Sequence, residues 1–491
     1  MARMPCSCMS ICEQVLCMAF FMSHILVFDL GATSGRGIVC RLENQKISIV
    51  ETHRFSNDPV TVSSTLYWDV LRIFHEMKQI IKDVCARFDI KSISVDSWGV
   101  DFALLDADGV MLENPVHYRD GRTDGIKEQV FELVPPDKLY GETGIQIMDI
   151  NTIFQLYYLA KNRPDMLSRA ETLLFIPDLL NYFLTGQKRC EYTIASTSQL
   201  LSGNEICADL LDTLGLDSRI FEKITPPGTV CGNLSPQVMA ECFLETAIPV
   251  VTVCGHDTAC AVAAVPSQQD KILYLSCGTW SLLGTQVQAP IISQKTMEYN
   301  LTNEGAYGFE TRLLKNIMGL WLVSECLRYY SDTTGQKVTY SQLEQEARRE
   351  PAGRCFIDPD DPVFLKPGDM PNKICEYVRK QGGAVPQNRG QIIRCIYESL
   401  ARKYKLVLDQ LENVCNTKFE RMNIIGGGGQ DSFLCQLTAN ATGIEVHVGP
   451  TEASALGNAV IAYISLGLIE DISEGRRIVE NSSDILVYRP L

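Results

Sequence analysis

His24-Ile25-Leu26-Val27-Phe28-Asp29-Leu30-Gly31-Ala32-Thr33-Ser34-Gly35-Arg36 is an apolar run closed by a carboxylate, followed by a turn of small and hydroxylic residues that ends on a guanidinium. The apolar part reads as a strand. Gly37-Ile38-Val39-Cys40 and Ile47-Ser48-Ile49-Val50 follow after short breaks, so a three-strand meander is expected. The turn sets Asp29 at a strand end, then backbone N–H groups able to approach an anion, two hydroxyls and Arg36. Those are the parts that hold a phosphate with a divalent cation, and equally the parts of an ordinary polar hairpin.

Beyond the meander, Val70, Ile73, Phe74, Met77, Ile80, Ile81 and Val84 recur at the three-and-four spacing of an amphipathic helix. Ile93-Ser94-Val95 reads as the next strand, and Asp106-Ala107-Asp108-Gly109 as a hairpin turn after Phe102-Ala103-Leu104-Leu105. Pro226-Pro227-Gly228 and Gly232-Asn233 mark a loop, after which the pattern restarts near residue 245. Ile248 to Val253 is a strand, Gly255-His256-Asp257 a turn, and Thr258 to Val265 a helix of small residues. Ile272-Leu273-Tyr274-Leu275 then runs through Ser276-Cys277-Gly278-Thr279-Trp280 into Ser281-Leu282-Leu283-Gly284, an echo of the first turn. The expectation is a duplicated α/β unit with a cleft between its copies. Its divisions are a leader or frayed extension at 1–23, a first half at 24–245 and a second half at 246–491. Asp358-Pro359-Asp360-Asp361-Pro362 begins a turn-rich excursion within the second half.

A chain of 491 residues is long enough for two or three such cores. With 44 Lys+Arg against 59 Asp+Glu, the net charge of -15 repels polyanions, so nucleic acid is not an expected partner. Nineteen cysteines form an odd, scattered set in a chain too large to need staples, and they read as reduced, mostly buried thiols. Cys6, Cys8, Cys12 and Cys17 lack the matching second pair that a zinc site requires. The stretch Val15 to Met22 is apolar and follows Arg3, but it has neither the charged start nor the cleavage pattern of a secretory signal. It is also short of the roughly 20 residues that span a bilayer. A cytoplasmic protein with Met22 near its functional beginning is expected, with no membrane partner.

Three turns carry the candidate chemistry. Ser276 to Thr279 repeats the anion nest of the first turn from the second half. Asn423-Ile424-Ile425 leads into Gly426-Gly427-Gly428-Gly429-Gln430-Asp431, which reads either as a bed for a nucleoside or as a tight strand-to-helix connection that needs positive φ. Neither the P-loop pattern nor the Rossmann glycine fingerprint with its distant acidic residue occurs, so those nucleotide folds are disfavoured. Asp257 stands between strand and helix, where it serves either as a general base or as a helix cap. His256 beside it is either a titrating partner or a plain hydrogen-bonding residue. Trp98, Gly99, Asp101 and Phe102 combine aromatic faces with a carboxylate, as sugar pockets do and as ordinary cores do.

The segments Asp29 to Arg36, Gly255-His256-Asp257-Thr258, Ser276 to Trp280 and Gly426 to Gly429, in that order, resemble the FGGY carbohydrate kinases over most of residues 24 to 465. Asp96-Ser97-Trp98-Gly99-Val100-Asp101-Phe102, Tyr118-Arg119-Asp120-Gly121-Arg122-Thr123 and Asn151-Thr152-Ile153-Phe154-Gln155-Leu156 resemble the branch of that family that acts on L-rhamnulose. So do Thr302-Asn303-Glu304-Gly305, Leu313 to Trp321 and Phe356-Ile357-Asp358-Pro359. The resemblance implies a two-lobed actin- and hexokinase-like ATPase fold of the ribonuclease H type, with ATP and Mg²⁺ as cofactors. It further implies transfer of the γ-phosphoryl group to the sugar's 1-hydroxyl. Carried over position by position, Ala32, Thr33, Ser34, Gly35, Arg36, Thr279, Thr311 and Gly428 would meet ATP. Gly99, His256, Asp257, Thr258 and Asn303 would meet the sugar, Asp257 would accept the proton, and Asp29 would hold Mg²⁺ through water. Gly121 and Cys277 depart from the residues the family usually has there.

Two rivals remain at this stage. A kinase for L-fuculose or xylulose differs by the stereochemistry of a hydroxyl, which a single sequence does not display. A non-catalytic sugar-sensing protein on the same fold would be expected to carry an added DNA- or peptide-binding domain.

Overall fold

The computed structural model describes residues 23–269 and 271–491; the expected leader, with Cys6, Cys8, Cys12 and Cys17, lies outside them except for Ser23. The meander forms as expected: Ser23–Leu30, Ser34–Glu43 and Lys46–Ser56 pair antiparallel in sequence order. The helix Val70–Cys85 buries Val70, Ile73, Met77, Ile80, Ile81 and Val84, the stripe set by its spacing, and Asp69 caps its start by accepting from the Arg72 N–H. On the other side of Ser23–Leu30 lies Ile90–Ser97, parallel to it, followed by Pro249–Thr252, also parallel, and by Thr229–Asn233 as the edge.

The second sheet repeats the scheme. Leu273–Cys277, Trp280–Val287 and Thr311–Met318 are antiparallel neighbours, with Thr302–Gly305 added at the edge. On the far side of Leu273–Cys277 run Arg421–Ile425 and Glu445–Val448, both parallel, and then Leu486–Tyr488. In each half a meander supplies the first strand and parallel strands join its open side, which is the duplication anticipated from the two turns.

Two expectations need correction. Pro249–Thr252 is hydrogen-bonded into the first sheet, so the chain passes from one sheet to the other after Thr252 and not at 246. Phe102–Leu105 finds its strand partner in Thr172–Phe175. The turn Asp106–Gly109 does form, but only a single bridge, Leu105 to Met111, follows from it.

The helix Asp257–Ala263 joins the halves. Its Ala259, Cys260 and Ala263 pack with Val27, Ile38 and the helix Ala453–Ser465 against the first sheet. Its Ala261 and Val262, with Val265 beyond its end, pack against Tyr274, Leu282, Leu314 and Ile425 of the second sheet. Small side chains are required because layers press on both faces. The approach is closest at Gly457, where an added Cβ would lie 1.7 Å from the Cys260 carbonyl oxygen. Next to it, Asn458 donates to Asp96 at 2.6 Å and accepts from the Ser94 hydroxyl, tying the helix to Ile90–Ser97.

Every cysteine among the described residues is a free thiol, most of them buried. Among the same residues no helix is long and apolar enough to cross a membrane.

Gly457→Ala is expected to lower stability by about 1–3 kcal/mol or more through overpacking, seen as a fall in Tm. An unchanged Tm would mean that the two helices do not meet at this point.

Candidate active site in the interlobe cleft

Strand register assembles the site. Arg36 is the antiparallel partner of Asp29, and Asp96 is the parallel partner of Asp29, so one guanidinium and two carboxylates stand in a row across three strands. The turn after Asp29 closes with a Gly31 N–H to Ser34 carbonyl bond of 2.9 Å, and the Asn57 side chain clamps it by donating to the Gly31 carbonyl at 2.9 Å. Arg36 is held between Asp29 and Glu452, and Glu452 also accepts from Arg54 at 3.1 Å.

Beyond Thr252 the chain continues alongside Ile90–Ser97: Ser97 N–H donates to the Gly255 carbonyl at 2.8 Å. The buried Glu191 carboxylate receives the Gly255 N–H at 2.8 Å and the Thr193 hydroxyl at 2.7 Å, and the Thr193 oxygen in turn receives the His256 N–H at 3.3 Å. Burial lifts Glu191 to about 7 against these bonds. This clamp aims the next residue, Asp257, at the carboxylate row. His256, not Asp257, occupies the cap position of the helix, and its side chain makes no capping bond. Asp257 sits in the first turn, where the helix dipole favours a carboxylate, and it accepts from the N–H and, at 3.1 Å, the hydroxyl of Thr258.

Asp257 keeps 30% of its side-chain exposure because it lines the cleft. Burial, and after it the charge of Asp29, push its pKa up to about 7, while the bonds from Thr258 and the charge of Arg312 pull the other way. Asp29 is raised by burial against the pull of Arg36. Asp96 is pushed far up by burial and by Asp29, with Asn458 opposing. Because the charge of Asp29 adds to the rise of both Asp96 and Asp257, the three carboxylates form a site that a cation would relieve. Asp96 Oδ1 is buried and unpartnered. Among the described residues no three His, Cys, Asp or Glu side chains converge tightly enough to hold a metal by themselves. That donor set fits Mg²⁺, which keeps much of its water and binds through one or two carboxylates together with phosphate oxygens.

The opposite wall comes from the second half. Leu320 N–H donates to the Gly278 carbonyl at 2.9 Å and Trp321 N–H to the Thr279 carbonyl at 3.1 Å, fixing the Ser276–Thr279 turn against the segment that follows Thr311–Met318. The glycine run is a short 3-10 turn between Arg421–Ile425 and the helix Ser432–Thr442. Gly426 has φ +86° and lies against Cys277, where an added Cβ would come within 3.1 Å of the carbonyl oxygen. The tight connector is also part of the cleft wall, since Gly426 and Gly427 face the cleft. The Cys277 thiol is pushed up to about 11 by burial and stays neutral.

The resulting cleft of about 490 Å³ is lined by Asp29, Ala32, Thr33, Ser34, Arg36, Gly99, His256, Asp257, Thr258 and Thr279, among others. Four expected residues are placed differently. Gly35 lies under the Phe55 ring, 2.2 Å from where its Cβ would be, and Gly428 against the Cys277 sulfur at 2.3 Å, so both are packing glycines behind the wall. Asn303 points away from the cleft, donating to the Gly144 and Ile291 carbonyls and accepting from the Ile291 N–H. Thr311 is 1% exposed at a strand end and does not line the cleft.

Asp101 is also withdrawn from the sugar-pocket reading. It is fully buried and accepts from Trp68 Nε1 at 2.6 Å, Trp98 Nε1 at 3.1 Å, Tyr118 N–H at 3.2 Å and Gln155 Nε2 at 3.1 Å. Its role is to lock the aromatic wall, of which Trp98 and Tyr118 reach the cleft while Phe102 joins a separate core. Glu304 and Asn316 reach the cleft instead of their neighbours, and Gln146 from the first half accepts from the Asn316 N–H at 2.9 Å. Arg119 stacks over Trp321 at 4.2 Å and donates to the Leu365 carbonyl at 2.8 Å, bridging the halves.

Comparison with known proteins agrees with this architecture. Residues 24–264 match the N-terminal domain, and residues 273–466 the C-terminal domain, of the FGGY family of carbohydrate kinases. The chain is 42% identical to the rhamnulokinase of Bacteroides thetaiotaomicron over 95% of its own length and 96% of the relative's. It is 38% identical to that of Enterococcus faecalis, covering 94% of each. Among solved structures, a gluconate kinase from Lactobacillus acidophilus superposes with a TM-score of 0.77 at 19% identity, covering 96% of this chain and 94% of that one. The ADP-bound glycerol kinase of Plasmodium falciparum gives 0.75 at 16%, with the same coverage. The fold is therefore the two-lobed actin- and hexokinase-like one, and the chain belongs to the FGGY family of carbohydrate kinases, in its rhamnulokinase branch.

Proposed function

We propose that the cleft binds ATP and L-rhamnulose and transfers the γ-phosphoryl group to the sugar's 1-hydroxyl, giving L-rhamnulose 1-phosphate and ADP. The observation that carries this reading is Asp257, a carboxylate poised at about 7 in a cleft whose walls are anion-binding turns from both halves. It accepts the proton of the attacking hydroxyl, a contribution of about 10²- to 10⁴-fold. Thr258 steadies its carboxylate from the helix N-terminus. The sugar lies against Trp98, Gly99 and Tyr118, with Glu304 and Asn316 offering polar contacts where Asn303 does not. The turns Ala32–Ser34 and Gly278–Thr279 give N–H groups and hydroxyls to the nucleotide's phosphates, and Gly426–Gly427 give a flat surface to the nucleoside. Bound Mg²⁺ would neutralise charge on the transferring phosphates, and Asp29 would hold it through water. Arg36 is shared by Asp29 and Glu452, so a phosphate reaching it competes with Glu452. The free thiols fit the cytoplasm, where ATP is made and cysteines stay reduced.

A panel of L-rhamnulose, L-fuculose and D-xylulose with ATP and Mg²⁺, read by ADP release, should give its highest kcat/KM with L-rhamnulose; a better rate with either other ketose would replace the substrate. Asp257→Asn should lower kcat by about 10²- to 10⁴-fold and leave the KM for ATP near its original value. A folded variant with full turnover would remove Asp257 from the mechanism. Arg36→Ala should raise the KM for ATP far more than that for the sugar, and equal effects would mean the first turn does not grip the nucleotide.

The pH dependence follows from the sign of the Asp257 shift. A raised carboxyl is protonated below its pKa and cannot then accept, so kcat/KM should fall as pH falls, along a limb at or below about pH 7. Added positive charge from Mg²⁺ moves that limb further acid. Activity that rises on acidification through this range would contradict the assignment.

A further inference from the structure

The site leaves Arg312 unexplained. It is among the largest fully buried side chains, 0% exposed, and its charge sits beside the loop that carries Asp257. It comes from Thr311–Met318, and its Nε donates to the Gly305 carbonyl at 2.8 Å, which fixes the plane of the guanidinium. Its Nη2 lies 3.2 Å from Glu304 Oε2 and 3.0 Å from His256 Nδ1.

We infer that Arg312 is a positioning residue that fixes His256 as a neutral ring with its proton on Nε2, so that towards the cleft His256 is a standing hydrogen-bond donor and neither an acid nor a base. A guanidinium has only donors, so the ring nitrogen facing it must carry the lone pair. The proton is thereby left on Nε2, the nitrogen that lies 3.4 Å from Asp257 Oδ1. Protonating Nδ1 would set an N–H against an N–H and one positive charge beside another in a buried place.

The surrounding charges agree with this. Glu304 is the one acid near Nδ1, at 3.5 Å, and it is already engaged by Arg312 and, through its other oxygen at 3.2 Å, by Asn316. Glu191 is occupied by the Gly255, Thr193 and Ile194 N–H groups and the Thr193 hydroxyl. Tyr274, two strands away in the second sheet, is a phenol that the charge of Arg312 reaches and not a competing acid. Asp257, on the helix that His256 caps, is thus the carboxylate left for Nε2–H to meet. Burial and the charge of Arg312 both drive the ring's pKa well down, in the same direction. At 3.4 Å from Asp257 Oδ1 the donor is not spent on that carboxylate, which Thr258 holds, and it remains available to a sugar oxygen beside the proposed base. That consequence rests on the proposed role of Asp257, whereas the tautomer itself does not.

The test is a long-range ¹⁵N–¹H correlation spectrum of the full chain labelled at its six histidines, with His256 assigned by loss of its signals in His256→Gln. The expected result is an Nε2–H tautomer that does not titrate between pH 5.5 and 8. An Nδ1–H tautomer, or titration of His256 near its ordinary value, would overturn the inference whatever any variant does. In Arg312→Met, checked for folding by its thermal melt, His256 should begin to titrate. The kcat/KM profile for the sugar should gain a second acid limb, and kcat should fall about tenfold, the factor that one hydrogen bond carries. Arg312→Lys, which keeps a donor and a charge, should restore the single limb. The same spectrum of Asp257→Asn separates the two readings: an unchanged Nε2–H tautomer there upholds the role of Arg312 whether or not Asp257 proves to be the base.

Discussion

The charge of Asp29 opposes the ionisation of both Asp96 and Asp257, and the hydrogen bonds around the cleft are arranged about that repulsion. A single carboxylate at a strand end is easily solvated; three at adjoining ends are not, and each has acquired a separate partner. Arg36 stands across from Asp29, Asn458 reaches Asp96 from a helix of the second half, and Thr258 holds Asp257. The residual imbalance disfavours the empty site and favours a cation with its phosphates.

The row exists because of backbone register, not because of side-chain reach. Antiparallel pairing brings Arg36 opposite Asp29, and parallel pairing brings Asp96 opposite Asp29 from the other side. The strand Pro249–Thr252 then delivers the Gly255–Asp257 loop to the same edge, where Glu191 takes up N–H groups that would otherwise be buried without partners. A slip by one residue in any of these ladders would turn the corresponding acid to the opposite face of the sheet.

What the sequence displayed was local. The meander, the helix Val70–Cys85 and the turns at Asp29, Ser276 and Gly426 follow from period and turn chemistry within a few residues. Asp257 was visible with two readings, and the helix-cap one falls because His256 occupies the cap position, which only the folded backbone reveals. Phe102–Leu105 chose a distant strand over the hairpin partner beside it, which no local pattern specifies. Asn303 and Thr311 came from the order of family motifs, but a strand sends alternate side chains to opposite faces. Glu304 and Asn316 face the cleft, while Asn303 is spent on carbonyls behind it. Arg312 gave no signal, because a buried guanidinium is recognisable only when its partners, Glu304 and Gly305 on one segment and His256 on another, are in place. Glu452 likewise reaches Arg36 from the start of the helix Ala453–Ser465, far away in the sequence.

The helix Asp257–Ala263 touches both sheets through its alanines, its cysteine and Val262. An element held on two sides is the axle of any swing between the bodies it separates, and an axle travels least. Were the walls to part for entry and release, the turns after Asp29 and at Ser276 would sweep the longest arcs and the acid at the axle's tip would hardly shift. Loading and discharge would then proceed many times without the proposed proton acceptor being put back in place on each occasion.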